Sequence, residues 1–282
     1  MAVINTHCLD LELDSSQSLS RTDEALLSIT GNLTIECWVQ FETLPTGQSV
    51  FVAKMLSAIG GRSYKFYAAL DTGTQYLRLQ ISADGTALTT SQVSWTPSTG
   101  VWYHVAVVYT AAAGTVDFYV NGVQQGAQQT GANTSIFDSS TSSFYIGAEQ
   151  DSGGAAISFM DGKIDDIRLW STTRTSTQIL DNIRVEIDSA TNLVGSWHLN
   201  NALTDSSGNS LTLTNNGTAT FSNQVPWFEI SDTIGVSVES IVFEHTLSIT
   251  ETAGIPTENL TNKYGWGNLA KSSASWTPQT KS

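Results

Sequence analysis

Two adjacent aspartates interrupt an apolar run in the stretch "FMDGKIDDIRLW" at residues 159–170. Strict alternation along a strand places Asp165 on the same face as Ile167 and Leu169, toward a core. A buried carboxylate needs a cation or several hydrogen-bond donors, because leaving it unpaired costs several kcal/mol. We therefore expect Asp165 either to bind a cation or to accept backbone hydrogen bonds near a strand end.

A second group of residues could bind sugars, because aromatic rings stand beside hydrogen-bonding side chains. Alternation predicts that the members of this group face outward; they are Trp38, Trp170, Arg168, Arg78, Gln80, Glu36 and Asp166. Sugars stack their CH faces on aromatic rings, and their hydroxyls need planar hydrogen-bonding partners. The two tryptophans and the two arginines are therefore candidate ligand residues, unless a loop or a neighbouring element covers them. Asp151, in the loop 150–154, is a further candidate.

Motifs for catalysis are weak in this sequence. A retaining glycosidase needs two carboxylates about 5 Å apart, whereas Asp165 and Asp166 point to opposite faces of a strand. The histidines have no spacing typical of a zinc site, and neither a GxSxG elbow nor a phosphate-binding glycine loop is present. These histidines are His7, His104, His198 and His245. We therefore expect no enzyme activity.

Composition excludes several classes of partner. The chain has 282 residues, 13% of them charged, a formal net charge of -14 and a pI of about 4.4. Phosphates would be repelled, so nucleic acid is not an expected partner. The sequence contains no apolar run long enough for a membrane span, and we expect no signal peptide, because the first residues have neither a basic nor an apolar stretch. Cys8 and Cys37 are predicted to be buried free thiols, because two cysteines make no disulfide framework.

Short β-rich runs separated by clusters of Gly, Ser, Thr, Asn and Asp predict an all-β sandwich or jelly roll. We predict strands near 7–13, 33–41, 50–55, 64–70, 76–82, 102–110, 115–121, 143–147, 163–170, 193–199 and 211–214. A single short helix is predicted over 175–183, where Thr175 and Gln178 have capping-box spacing.

The stretch "GVWYHVAVVYTAAAGTVDFYVNG" at 100–122 predicts a hairpin. Its first half is apolar on both faces, which is typical of a strand covered on both sides. Its second half alternates, and Asn121-Gly122 predicts a type I′ turn. His104, on the face of Trp102 and Ala106, is predicted to be a packed, hydrogen-bonded histidine of the scaffold.

Four stretches in order resemble the laminin-G-like (concanavalin A-like lectin/glucanase) jelly roll. They are "LTIECWVQF" at 33–41, the hairpin at 100–122, "YIGAEQDSGG" at 145–154 and "FMDGKIDDIRLW" at 159–170. The resemblance covers about residues 5–225 and implies two antiparallel sheets and commonly a glycan- or protein-binding role. We assign 1–225 to this domain. Residues 226–282 are predicted to form a linker, an arm that packs on another subunit, or the start of a further β module, with a disordered tail as the alternative.

The resemblance also implies a cofactor, because such domains often hold a structural Ca²⁺ at the edge of the sandwich. Asp165 is then the first calcium ligand, and Asp14, at the end of the first strand, is the second. An EF-hand is excluded, because the sequence has no DxDxDG loop.

The setting that the sequence favours is a virion. An extracellular-type domain without a signal peptide, an acidic Ser- and Thr-rich composition and the extended C-terminal segment resemble a phage capsid decoration, fibre or tail component. Its partners would be a glycan or protein surface and, through 226–282, other virion subunits; a homo-oligomer is a further expectation. The expected location is the virion or an extracellular surface. The alternatives are a free-standing carbohydrate-binding or adhesion module and a glycoside hydrolase, although "VEIDSAT" at 185–191 matches the paired-acid run of glucanases incompletely.

Overall fold

Two large antiparallel β-sheets pack against each other in the computed structural model, which describes residues 3–227 and 229–230. Strands are numbered in chain order. Sheet I contains β2 (Cys8–Leu11), β4 (Leu33–Phe41), β9 (Trp102–Thr110), β10 (Thr115–Val120), β11 (Val123–Gln124), β12 (Gln129–Thr130), β16 (Gly162–Trp170), β17 (Leu193–Trp197) and β19 (Thr220–Ser222). Sheet II contains β3 (Ser18–Arg21), β5 (Gln48–Met55), β6 (Arg62–Asp71), β7 (Thr74–Ser82), β8 (Leu88–Ser94), β13 (Phe144–Ile146) and β18 (Thr214–Asn216). The predicted all-β, two-sheet antiparallel sandwich is confirmed.

Two short ladders complete the described strands. β1 (Val3–Ile4) pairs with β20 (Glu229–Ile230), and β14 (Glu149–Gln150) forms a hairpin with β15 (Ala156–Ile157). Sheet I has the order β11-β10-β9-β4-β16-β2-β19, with β12 beside β10 and β17 beside β16. Sheet II has the order β18-β3-β13-β5-β6-β7-β8.

The core between the sheets is built from alternate side chains of both. From sheet I, β4 buries Leu33, Ile35, Cys37, Val39 and Phe41 in the same apolar cluster as Phe66 and Leu79 of sheet II. Aromatic rings connect the two layers, with ring centroids 6.0 Å apart for Phe41 and Phe51 and 5.4 Å apart for Phe51 and Phe66. The predicted inward face of β4 is therefore confirmed.

The hairpin predicted at 100–122 forms as β9 and β10. One face of β9 lies in the main core, and the other packs through Ala106 and Val108 on Ile179 of the helix. Asn121 and Gly122 have φ of 51° and 76°. Positive φ at both positions is the type I′ geometry that the sequence predicts.

The short helix also forms, as α1 (Ser176–Asp181), and three single-turn 3₁₀ helices lie at Leu13–Ser15, Ala25–Leu27 and Ala111–Ala113. Thr175 accepts from the Gln178 backbone, and Gln178 accepts in return from the Thr175 backbone. This confirms the capping box. After α1, residues 182–192, here called the cover segment, run over the outer face of sheet I without a buried side chain of their own.

A β-bulge in β16 corrects the predicted position of Asp165. Asp165 pairs with Trp38 and Arg168 pairs with Glu36, so three steps along β16 match two along β4. The extra residue of β16 is accommodated at Asp166, whose φ is 44°. Alternation therefore changes phase at the bulge. Strict alternation would place Ile164 outward with Asp166, but Ile164 enters the core, and Asp165 lies on the opposite face with Trp38.

Cys8 and Cys37 are buried free thiols, as predicted. Among the residues with described positions, no helix is both long and apolar enough to cross a bilayer. The domain boundary at 225/226 stays a prediction, because residues 231–282 lie outside the described residues.

Candidate functional site

The outer face of sheet I is a covered face. Trp38, Arg168 and Trp170 lie on it, as the sequence predicts, but all three are buried. The indole N–H of Trp38 donates to the Ile183 carbonyl at 2.9 Å, and Arg168 donates to the carbonyls of Asn182 and Val185 at 2.9 and 2.6 Å. The cover segment occupies the space above these side chains, so the structure shows the alternative in which a neighbouring element covers them.

Beneath the cover segment the charges are largely paired with one another. Arg168 forms an ion pair with Asp166, and Glu36 accepts from the Trp170 indole at 2.8 Å. Burial raises the pKa of Glu36, although Arg168 and Arg174 oppose that rise. Arg174 also lies 4.0 Å from the centroid of the Trp170 ring. This network holds the helix and the cover segment on the sheet.

His104 is part of the same covered face. Its ring packs edge-on to Trp38, with centroids 5.5 Å apart, and its Nε2 lies 3.7 Å from a Glu36 oxygen. Burial, reinforced by Arg168, lowers the pKa of His104 to about 3, so the ring is neutral. The predicted packing is confirmed, but the predicted hydrogen bonding is wrong for the ring, because neither nitrogen has a partner among the described residues.

Asp165 is fully buried on this face, and its carboxylate accepts from the Asn5 side chain at 3.0 Å and from the Asp166 backbone at 2.9 Å. Burial, followed by the neighbouring Asp166, raises its pKa well above the ordinary value. Glu186 adds further negative charge nearby, and the buried Asn5 Oδ1 has no hydrogen-bond partner in the described part of the chain. Carboxylate and amide oxygens of this kind fit a calcium ion.

Asp14 does not belong to this group. It is exposed in the 3₁₀ turn that follows β2, beyond the end of the β2–β16 ladder at which Leu11 pairs with Gly162. Asp165 lies beyond the opposite end of that ladder, at which Leu9 pairs with Ile164. The structure therefore does not bring the two predicted calcium ligands together. Carboxylates near Asp14 come within 4.8 Å of one another, namely Asp10, Glu12 and Glu42. Lys163 contacts Asp10 and Glu42 and already supplies positive charge there.

The outer face of sheet II is partly open along β7 and β8, whereas Lys65 and Tyr67 of the neighbouring β6 are buried. Cross-strand register places its outward side chains together; they are Lys65, Tyr67, Tyr76, Arg78, Gln80, Thr90 and Gln92. We call these residues the open face. Arg78 and Gln80 thus lie on the other sheet from Trp38 and Trp170, which the alternation of single strands did not reveal.

Arg78 lies at the centre of the open face and is held from three sides. Its Nε donates to Gln92 at 2.7 Å, one Nη donates to Asp71 at 2.8 Å, and its guanidinium lies 5.1 Å from the centroid of the Tyr76 ring. Tyr76 and Gln92 are half-buried, so both present part of their side chains to solvent. Gln80 donates to Thr90 at 3.1 Å beside them.

A buried ion pair borders the open face. Lys65 donates to both oxygens of Glu149 at 3.0 Å and to Gln48 at 2.7 Å, and Ser158 donates to Glu149 at 2.9 Å. Burial lowers the pKa of Lys65, and Glu149 opposes that fall. The β14–β15 hairpin therefore carries Glu149 onto the edge of the open face, which sequence reasoning missed.

Asp151 lies in the turn of that hairpin. Its carboxylate accepts from the backbone of Gly153 at 2.8 Å and of Ala155 at 2.9 Å. These bonds fix the turn, so the structure assigns Asp151 a role in shaping the loop, and its role toward a ligand stays a prediction.

Comparison with known proteins agrees with this architecture. A family model described as the concanavalin A-like lectin/glucanases superfamily matches residues 13–180. No curated protein matches the chain.

Solved structures share the fold at low sequence identity. A candidate carbohydrate-binding protein from Bacteroides ovatus ATCC 8483 is 17% identical with a TM-score of 0.61, over 78% of this chain and 60% of its own. The heptameric SAP-like pentraxin of Limulus polyphemus is 15% identical with a TM-score of 0.53, over 77% of this chain and 94% of its own. This chain therefore spans less than two thirds of the Bacteroides protein.

Proposed function

The chain belongs to the concanavalin A-like lectin/glucanases superfamily, and we propose that it is a glycan-binding module whose binding surface is the open face of sheet II. The contrast between the two outer faces carries the proposal. The helix and the cover segment bury Trp38 and Trp170 on sheet I, whereas Tyr76, Arg78 and Gln92 remain partly exposed on sheet II.

The chemistry of the open face suits a sugar. The Tyr76 ring offers a surface for the CH groups of a pyranose, and the side chains around it offer donors and acceptors for hydroxyls. These groups stand on paired strands, and Arg78 is fixed by Gln92 and Asp71. A surface ordered in advance loses little conformational entropy when a ligand binds. The candidate carbohydrate-binding protein of Bacteroides ovatus supports the proposal only through the shared fold.

A glycan array followed by titration calorimetry tests this proposal. We expect Tyr76→Ala to weaken binding of an array hit about tenfold or more, since one stacked ring and its hydrogen bonds supply over 1 kcal/mol. Arg184→Ala changes a half-buried arginine of the cover segment and serves as the control with unchanged affinity. Absence of binding across a broad array, or equal affinity of Tyr76→Ala and wild type, would refute the proposal.

We also propose that the module is non-catalytic. On and beside the open face, Glu149 is bound to Lys65 and Asp71 to Arg78. A glycosidase needs one carboxyl group as an acid and a second as base or nucleophile. Release of reducing ends from glycans that the protein binds would contradict this proposal.

The assembly in which the protein works is also a proposal. We propose a virion component that attaches through the open face, with a free-standing adhesion module as the alternative. Mass spectrometry of purified particles distinguishes the two, because only a virion component would be recovered with the capsid and tail proteins.

We further propose a structural calcium ion at Asp165. Asp165, Asn5 and Glu186 would hold the ion, which would supply the positive charge that the buried Asp165 carboxylate lacks among the described residues. Asp14 is not part of this proposal.

A further inference from the structure

We propose that the open face prefers glycans that carry an anionic group, a carboxylate or a sulfate, and that Arg78 receives this group. The inference rests on the proposed glycan-binding function. It starts from a difference between the two cations of the open face, Lys65 and Arg78.

The partner of Lys65 cannot be exchanged at low cost. Both side chains of the Lys65–Glu149 pair are only 5% exposed, and Glu149 also accepts from Ser158. Separating a buried pair leaves an uncompensated charge, which is strongly unfavourable. Lys65 is therefore committed to Glu149.

The partner of Arg78 is different. Asp71 is 53% exposed at the end of β6, and its side chain makes one hydrogen bond, to Arg78. The Arg78 side chain is 14% exposed, but an ion pair whose carboxylate is more than half exposed contributes little to stability. An anionic group of a ligand can therefore replace Asp71 while Asp71 returns to solvent.

The guanidinium is already oriented for such an exchange. Arginine has five N–H donors; Gln92 and Asp71 engage two of them, which leaves three. With Asp71 displaced, a fourth donor becomes available. A planar guanidinium binds two oxygens of one carboxylate or sulfate through parallel hydrogen bonds, whereas a lysine cannot.

The net charge of -14 opposes an anionic ligand but acts mainly at a distance. Salt screens separated surface charges over about 8 Å at physiological ionic strength, whereas hydrogen-bonded charges in contact are affected much less. The diffuse repulsion therefore slows encounter more than it weakens the contact with Arg78.

The test compares ligands that differ only in charge. Titration calorimetry would use galacturonate oligosaccharides, their methyl esters, and galactose oligosaccharides with and without 6-sulfate. We expect the acid to bind about tenfold more tightly than its methyl ester, the gain of one bidentate charge-assisted contact. The sulfated arm distinguishes the source of the anion: preference for sulfate alone, for carboxylate alone or for both supports the inference and names the group.

Two variants locate the effect. Asp71→Asn removes the internal competitor, so it should tighten binding of the acid several-fold and leave the methyl ester unchanged. Asp181→Asn makes the same charge change on α1 and should alter neither. Arg78→Lys should lower the affinity for the acid to about the affinity for the methyl ester.

The outcomes that overturn the inference differ from those that overturn the function. Equal binding of both charged ligands and their uncharged counterparts by the wild type, or weaker binding of the preferred charged ligand by Asp71→Asn, refutes the anionic preference while glycan binding stands. Absence of binding to any sugar on the broad array refutes the glycan-binding function itself.

Discussion

Asn5 donates its side-chain amide to the Asp165 carboxylate at 3.0 Å, and so joins positions that lie 160 residues apart in the chain. Asp165 forms no ion pair among the described residues, and Arg168, the nearby cation, is bound to Asp166. The contact therefore ties the N-terminal segment to a buried carboxylate that lacks a positive partner.

Removal of calcium should lower the melting temperature of the wild-type protein. An ion that binds only the folded state adds about 2.7 kcal/mol when its free concentration is 100 times Kd. For a domain of this size that corresponds to ~5 to 10 °C. Differential scanning calorimetry with chelator, and after calcium is restored, measures the shift. Asp165→Asn should abolish the chelator effect, whereas Asp14→Asn should retain it; an equal response of both variants would refute the site.

Stability should fall as pH rises through the pKa of His198. Burial lowers this pKa, but the hydrogen bonds to Asp166 and Asp188, with the charge of Glu186, outweigh burial and raise it above 6.5. The charged form is therefore favoured in the folded state, so its contribution is complete below pH 6.5 and lost above the raised pKa. Because Asp188 is 81% exposed, we expect a loss of at most about 1 kcal/mol.

Urea unfolding of wild type and His198→Asn at about pH 6 and about pH 9 measures this difference. The wild type should lose more stability than the variant over that interval. His104 stays neutral throughout, because its pKa is about 3. A larger loss in His198→Asn than in wild type would show that the sign is wrong.

Removal of one partner of the Lys65–Glu149 pair should be costly. Glu149→Gln leaves a buried ammonium without its counter-charge, so the free energy of unfolding should fall by about 3–5 kcal/mol. The double variant Lys65→Met, Glu149→Leu should recover most of this loss, because both charges are gone. Asp71→Asn is the matched control and should cost under about 1 kcal/mol, since Asp71 itself is 53% exposed. Similar losses for Glu149→Gln and Asp71→Asn in urea unfolding would contradict the distinction.

Gly122→Ala should destabilise the turn in two ways. Gly122 has φ of 76°, and an added Cβ would lie 2.6 Å from Leu180 Cδ1. Gly131 has φ of 82° with open space around it, so Gly131→Ala measures the backbone strain alone, about 1 kcal/mol. Thermal unfolding should show a larger loss for Gly122→Ala, and Leu180→Ala should remove the part of the excess that comes from Cδ1, while the contacts with Leu180 Cα and Cβ at 3.3 Å stay. An equal loss at both glycines would exclude a contribution from the contact with α1.

Regular alternation and turn chemistry were sufficient to predict much of the fold. β4 and β9 begin and end where the sequence predicts, because unbroken apolar runs and defined turns flank them. The capping box at Thr175 and the turn at Asn121-Gly122 depend on neighbours within a few residues, so local patterns contain them. The short strand β3 was missed, since one apolar residue among three polar ones carries no periodic signal, and the strand predicted near 211–214 forms later, as β18.

The candidate site was harder to predict, because its positions depend on contacts distant in sequence. Alternation cannot reveal the bulge at Asp166, and that bulge moved Asp165 to the other face of sheet I. Nor does any local pattern show that residues 182–192 cover Trp38. The alternation of Tyr76, Arg78 and Gln80 was present in the sequence, but their sheet and their exposure follow only from the pairing of β6, β7 and β8.

The pairing of β1 with β20 determines how the sandwich would respond to a pulling force. Val3 lies opposite Ile230, and Ile4 lies opposite Glu229. Because the two strands are antiparallel, Val3 and Ile230 lie at the same end of the ladder. A force that pulls these two residues apart therefore breaks the residue pairs one after another, whereas a shearing force would load all of them at once. The next pairs in line, Cys8 with Ser222 and Leu9 with Phe221, have the same orientation. A load between the two ends would therefore unzip this edge of sheet I first, while the strands of the open face lie in the other sheet.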